Sequence, residues 1–221
     1  MRKKNLWFIL SIGILCCAAM ALVDGVIRPG YVIKSVIKIT LFLGLPLLVA
    51  LWQRELSCLG LFRIRRSAIL PALGLGLGVY CVILLGFFLV RRWFDFGGIA
   101  ESLTQNAGVT ADNFLYISLY ISFINSLLEE FFFRGFVSWN LKKLGLPKLS
   151  YLYGGILFAL YHVAMLTGWF SPILFWLVMA GLSIGGFLFH WLNEKLDCIW
   201  GSWLVHMFAN FAINTIGFLL L

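Results

Sequence analysis

Three short motifs place ionisable side chains inside apolar stretches of the sequence. They are Glu129-Glu130-x-x-x-Arg134, Phe158-x-x-x-His162 and His206-x-x-x-Asn210. Glu130 and Arg134 are four residues apart, so on a helix they can form an ion pair along one face. Glu129 points about 100° away from Glu130 at 3.6 residues per turn, which leaves it able to face a cavity.

The combination of side chains suits hydrolysis of an amide bond. A carboxylate beside an imidazole can hold a water molecule and remove its proton. A second imidazole and an amide group can donate hydrogen bonds to the oxyanion of a tetrahedral intermediate. Ser118, Ser122 and Ser126 precede the glutamates, but none lies in a Gly-x-Ser-x-Gly context. Activated water is therefore the expected nucleophile.

Each motif also has a structural interpretation. Glu130 and Arg134 could belong to an ion-pair network that holds helices together, and His162 could be a packing residue. His206 and Asn210 could form hydrogen bonds between helices. Two imidazoles and a carboxylate could also bind Zn²⁺, but the sequence has no His-Glu-x-x-His motif. We expect no cofactor, with zinc as the less favoured alternative.

The composition shows what kind of molecule must position these groups. Of the 221 residues 62% are hydrophobic and only 12% are charged, with a mean hydropathy of +0.99. A soluble domain contains about 45–50% apolar and about 25% charged residues. The sequence therefore predicts an all-α fold, a polytopic transmembrane bundle of about seven helices. Apolar runs long enough to cross a bilayer lie at Asn5–Val23, Val32–Trp52, Ala68–Val90, Phe114–Trp139, Ser150–Thr167, Pro172–Trp191 and Ile199–Leu221.

The basic residues between these spans are distributed unevenly. One side receives Arg2, Lys3, Lys4, Arg54, Arg63, Arg65, Arg66, Lys142, Lys143, Lys148 and Lys195, and the other receives Arg28, Arg91 and Arg92. The positive-inside rule then predicts a cytoplasmic N-terminus. The net charge of +8 is largely this orientation signal, so we expect the lipid bilayer as a partner and no nucleic acid. Ala19-Met20-Ala21 is similar to a signal-peptidase site, but an uncleaved first helix fits the charge pattern better.

The motif residues are predicted to lie at similar depths. Counting 1.5 Å per residue from the cytoplasmic end of each span gives about 15–17 Å for Glu129, about 18 Å for His162, about 11 Å for His206 and about 17 Å for Asn210. Polar side chains with unrelated structural roles would not be expected to lie at the same depth in the membrane. The agreement indicates one buried site in the cytoplasmic half of the membrane.

Other features bear on the organisation of the bundle. Lys34 and Lys38 lie in the first half of the second span, and we expect them to extend towards the interface. The glycine runs 74–78 and 181–186 predict close contact between helix backbones. We expect residues 1–113 to form three membrane helices and an external loop, 91–113, and residues 114–221 to form a catalytic helix bundle.

The three motifs in this order resemble the CPBP family of intramembrane endopeptidases, also called Abi or type II CAAX prenyl protease-like proteins. The resemblance covers Phe114–Leu221, including the Gly-Ser-Trp segment before His206. It implies that Glu129 activates water with help from His162. It also implies that His206 and Asn210 form an oxyanion hole and that Glu130 and Arg134 support the site.

The resemblance further implies the setting and the substrate. We expect an integral protein of the bacterial plasma membrane that cleaves a membrane-associated or peptide substrate, with a prenylated substrate as one version. Bacterial members of the family are linked to peptide processing and bacteriocin immunity. The alternatives are a non-catalytic immunity or binding protein and a small transporter. A transporter would more typically have paired repeats and broken helices.

Overall fold

The fold is an all-α bundle that the sequence predicts correctly. The computed structural model describes residues 2–53, 55–99 and 109–220. In that part of the chain seven helices are long and apolar enough to cross a membrane. They are α1 (Lys3–Ile27), α2 (Tyr31–Trp52), α3 (Arg66–Val90), α4 (Ala111–Lys143), α5 (Pro147–Leu166), α6 (Pro172–Leu196) and α7 (Ile199–Leu220). Part of the predicted external loop, residues 100–108, lies outside the described residues.

Helix α4 occupies the centre of the bundle. It contacts α1, α2, α5, α6 and α7, whereas α3 packs mainly against α7. The middle of α4 is dense with large aromatic side chains, and Phe132, Phe133 and Phe136 are completely buried. Because lipid tails are as apolar as these rings, the rings stabilise the bundle through van der Waals contacts with neighbouring helices. Any polar group carried on the middle of α4 is therefore enclosed by other helices.

The geometry of α4 is not uniformly α-helical. Ser126–Glu130 is α-helical, and π-helical segments lie on either side of it, at Ile121–Asn125 and Phe131–Ser138. Short π-helical segments occur frequently at functional sites, where they change the direction in which neighbouring side chains point. The two glutamates thus lie in an α-helical turn between two wider segments.

In each of the two glycine runs, one glycine makes the predicted close contact with a neighbouring helix. A Cβ atom added at Gly186 would lie 2.7 Å from the carbonyl oxygen of Gly155, so α5 and α6 approach closely there. In the first run Gly76 faces the ring of Phe208 on α7. Gly74, Gly78 and Gly181 face open space, and for them the predicted contact is wrong. Glycines two residues apart point in different directions on a helix, so Gly74 and Gly78 do not lie on the face that Gly76 presents to Phe208.

Candidate active site

Glu129 lies at the meeting point of four helices and is only 2% exposed. Its two carboxylate oxygens have different surroundings. Oε1 accepts hydrogen bonds from Nζ of Lys38 at 2.5 Å and from Nδ2 of Asn125 at 3.0 Å. Oε2 faces the two imidazoles, with Nε2 of His206 at 3.6 Å and Nε2 of His162 at 3.9 Å. One oxygen is therefore held in place, and the other faces the imidazole nitrogens.

His162 is placed by an interruption in α5. The regular helix ends at Tyr161 and resumes at Val163, with His162 in a turn between the two segments. Its Nδ1 lies 2.7 Å from the carbonyl oxygen of Phe158. A carbonyl oxygen can only accept, so Nδ1 carries the proton and Nε2 of the neutral ring is an acceptor. The Phe158 ring packs edge-on against the imidazole at 4.9 Å.

His206 connects the two glutamates. Its Nδ1 lies 3.0 Å from Oε1 of Glu130, so this nitrogen is the donor to a carboxylate. The imidazole stacks on the ring of Phe189 at 4.7 Å and meets Phe158 edge-on at 5.6 Å. The hydrogen bond to Nδ1 and the stacked Phe189 ring thereby orient the imidazole of His206.

Glu130 belongs to a buried network of its own. Arg134 Nη1 lies 3.1 Å from Oε1, as the spacing of the two residues predicts. Ser202 Oγ lies 2.7 Å from Oε2. The guanidinium of Arg134 also donates to the Gly186 carbonyl at 3.0 Å and lies 4.5 Å from the centroid of the Phe158 ring. A buried ion pair is retained at low cost only when its remaining hydrogen-bonding positions are also filled, and here several of them are.

A small cavity adjoins this network at the ends of α4, α5 and α6. Its volume is about 20 Å³, and its lining includes Arg134, Ser138, His190 and Asn193. The Nε2 atom of His190 and the Nδ2 atom of Asn193 are buried without a hydrogen-bond partner among the described residues. A volume of this size accommodates one water molecule, and such waters typically satisfy buried polar groups.

Asn210 is positioned differently from the other motif residues. It is half-buried, and its Nδ2 donates to the carbonyl oxygen of Ile121 at 3.1 Å.

The three serines before the glutamates form hydrogen bonds with groups outside the proposed site. Ser118 and Ser126 donate to backbone carbonyls one turn earlier, and Ser122 Oγ accepts from Asn214 at 3.0 Å. These hydrogen bonds connect the serines to neighbouring backbone and side-chain groups.

The sequence reasoning missed Asn125 and Lys38 as residues of the site, and of these Lys38 carries the charge. It was expected to extend to the membrane interface, and that prediction is wrong, because Lys38 is only 3% exposed and contacts Glu129 directly. Lys34, one turn earlier, is 22% exposed and pairs with Asp24 at 2.5 Å. The available signal was a lysine inside an apolar span, which is by itself an indication of function.

The side chains around Glu129 do not fit a zinc site. The ammonium group of Lys38 lies 2.5 Å from one carboxylate oxygen, where it would repel a divalent cation bound to the other. No group of three His, Cys, Asp or Glu side chains in the described part of the chain is arranged to hold a metal ion. We therefore derive no step through a metal.

Comparison with known proteins bears on the family. The family model described as type II CAAX prenyl endopeptidase, Rce1-like, matches residues 111–212. This segment contains all three motifs, whereas Lys38 lies outside it. Neither the curated proteins nor the solved structures include a match to the chain. Residues 111–212 are similar to the CAAX prenyl protease family, in agreement with the resemblance of the three motifs.

Proposed function

We propose that the protein is an intramembrane endopeptidase in which Glu129 activates water to hydrolyse a peptide bond. The observation that carries this proposal is the environment of Oε2 of Glu129. This oxygen faces Nε2 of both His162 and His206, at 3.9 and 3.6 Å. A water molecule can donate one proton to Oε2 and the other to Nε2 of His162, since both atoms are acceptors.

The proposed reaction begins at Oε2 of Glu129. Glu129 removes a proton from the water as its oxygen bonds to the peptide carbonyl carbon, which gives a tetrahedral oxyanion and a protonated Glu129. The proton then passes from Glu129 to the leaving nitrogen as the carbon–nitrogen bond breaks. The products are a carboxylic acid and an amine, and Glu129 is again ionised.

The oxyanion requires hydrogen-bond donors near the same place. We assign this role to His206 and to the second amide N–H of Asn210. Because Nδ1 of His206 already donates to Glu130, Nε2 can donate only when the ring is an imidazolium. The carboxylate of Glu130, 3.0 Å away, stabilises that charge. Glu130 and Arg134 then act on the reaction through His206.

The substrate and the setting are part of the proposal. We propose a membrane-associated peptide as the substrate, with a prenylated peptide as the version suggested by the family description. Peptide processing or bacteriocin immunity in a bacterial plasma membrane is the proposed process. The charge distribution supports a cytoplasmic N-terminus, and residues 114–221 are proposed to carry the chemistry.

The test compares peptides released in membranes that contain the wild type, Glu129→Gln or Asp112→Asn. Asp112 lies on the same helix but is exposed at its first turn, so its amide variant controls for the loss of a carboxylate. We expect a product with the wild type and Asp112→Asn, and about 100-fold or more less product with Glu129→Gln. Wild-type product levels with Glu129→Gln would remove the proposed base and favour a non-catalytic binding protein or a transporter.

A further inference from the structure

The contact between Lys38 and Glu129 joins α2 to the proposed catalytic helix. Nζ of Lys38 lies 2.5 Å from Oε1 of Glu129 and also donates to Oδ1 of Asn125. Nδ2 of Asn125 donates to the same Oε1 at 3.0 Å. The three side chains form a closed set in which the ammonium and the amide both hold one oxygen of the carboxylate.

The surroundings of Lys38 keep its ammonium in this position. Its Nζ lies 4.9 Å from the centroid of the Tyr161 ring and 5.4 Å from that of Phe42. Aromatic faces stabilise a cation at such distances. Lys34, the nearest lysine on the same face, is neutralised by Asp24. A buried ammonium without a carboxylate partner would be costly, so the position of Lys38 depends on Glu129.

The other basic side chains near Glu129 do not contact Oε1, the oxygen that Lys38 holds, in the described contacts. Arg134 pairs with Glu130 rather than with Glu129. The imidazoles of His162 and His206 approach Oε2 only. Lys38, together with the amide of Asn125, thus fixes which oxygen of Glu129 points towards the histidines, and Lys38 is the charged member of this pair.

We propose that Lys38 is a positioning residue for Glu129: its ammonium holds Oε1, so that Oε2 is presented to water between the imidazoles. This inference rests on the proposed function. It extends the site beyond the matched segment 111–212, because α2 supplies a group that the chemistry needs. Helix α2 is then part of the enzyme rather than a generic membrane anchor.

The kinetic test uses Lys38→Met, which removes the charge with similar chain length, and Lys38→Arg, which keeps it. We expect Lys38→Met to lower kcat about 10- to 100-fold, the loss expected for a hydrogen bond to a charged group. KM should change little, because Lys38 does not contact substrate, and Lys38→Arg should recover much of kcat. Lys34→Met is the matched control, since it also loses an ion pair on α2 but should keep kcat.

A second measurement does not depend on activity. Thermal unfolding of purified Lys38→Met, Glu129→Gln and the double variant tests whether the two residues are coupled. Each single variant leaves one buried group without its partner, so each should lower Tm by roughly 5 °C or more. The double variant should be less destabilised than the two single variants added together.

The outcomes separate this inference from the proposed function. Cleavage at the wild-type rate by Glu129→Gln would overturn the proposed function and, with it, the positioning role. Loss of cleavage in Glu129→Gln together with a wild-type kcat in Lys38→Met would overturn the positioning role alone. A kcat above that of the wild type in Lys38→Met would also overturn it, because the contact would then be inhibitory. Additive Tm losses in the double variant would show that the pair does not form.

Discussion

The Nδ1 atom of His206 lies 3.0 Å from Oε1 of Glu130. The other nitrogen of the ring lies 3.6 Å from Oε2 of Glu129. One imidazole therefore bridges two carboxylates that are adjacent in sequence but point in different directions from α4. The two glutamates therefore have different surroundings, since Oε2 of Glu129 faces both histidines whereas Glu130 contacts His206.

The first prediction concerns the nitrogens of His206. His206→Phe keeps a ring that can stack on Phe189 but removes both nitrogens. We expect kcat to fall about 100- to 1,000-fold, the effect of losing one oxyanion donor, with KM little changed. The measurement is a steady-state assay of peptide cleavage with purified protein in lipid.

His190→Phe is the matched control for the His206 variant. His190 is also buried and packs against an aromatic ring, that of Tyr151 at 4.6 Å. Its nitrogens do not reach Glu129 or Glu130 in the described contacts, so this variant should cleave near the wild-type rate. A wild-type kcat in His206→Phe would show that His206 does not donate a hydrogen bond to the oxyanion.

The second prediction concerns the buried pair between Arg134 and Glu130. Arg134→Leu leaves Glu130 without its cation in a fully buried position. Removing one member of a buried pair costs about 3–5 kcal/mol, so the variant should unfold at a markedly lower temperature. Arg65→Leu breaks an ion pair with Asp197 whose side chains are 45% and 51% exposed, and it should cost about 1 kcal/mol or less. Equal losses of unfolding free energy in the two variants would contradict the difference in burial between the two ion pairs.

The third prediction concerns the approach of α5 to α6. In Gly186→Ala the new Cβ atom would lie 2.7 Å from the Gly155 carbonyl oxygen, so the helices must separate. We expect a loss of about 1–3 kcal/mol in stability and lower activity, because α5 carries His162. Gly181→Ala, five residues earlier on α6, meets open space and should be tolerated. Thermal unfolding and cleavage assays of the pair check this, and an unaffected Gly186→Ala would exclude the close contact.

The fourth prediction concerns metal. Because the ammonium group of Lys38 adjoins Glu129, we expect the purified protein to contain far less than one zinc ion per chain. Incubation with a chelator should leave cleavage unchanged. Stoichiometric zinc, together with activity that a chelator removes and zinc restores, would favour the metal-dependent alternative.

The fold was predictable because membrane spans depend mainly on the length and composition of apolar runs. Each of the seven spans read from the sequence corresponds to a helix, although α4 begins at Ala111 rather than Phe114. Helix starts are set by local groups, and here the Thr110 N–H donates to Oδ1 of Asn113 at 2.8 Å. Hydropathy does not record such a contact.

The position of Glu129 and the two imidazoles was predictable in part. The constant rise of a helix allowed their depths to be compared, and the structure brings Glu129, His162 and His206 together. The roles of these residues remain predictions. Lys38 could not be placed in the same way, because depth does not tell which face of a helix meets its neighbours. The alternative for a lysine in that position, an interfacial location, was equally compatible with the sequence.

The 2% exposure of Glu129 has a consequence for the rate of turnover. In the proposed mechanism a peptide bond has to reach a carboxylate that is enclosed by packed helices. Each proposed catalytic cycle would then include a separation of helices that admits the substrate and a return that excludes bulk water. Such collective motions take place over microseconds to milliseconds and can limit turnover. Under this proposal, the rate of cleavage should depend on the thickness and fluidity of the surrounding lipid as well as on the concentration of the substrate.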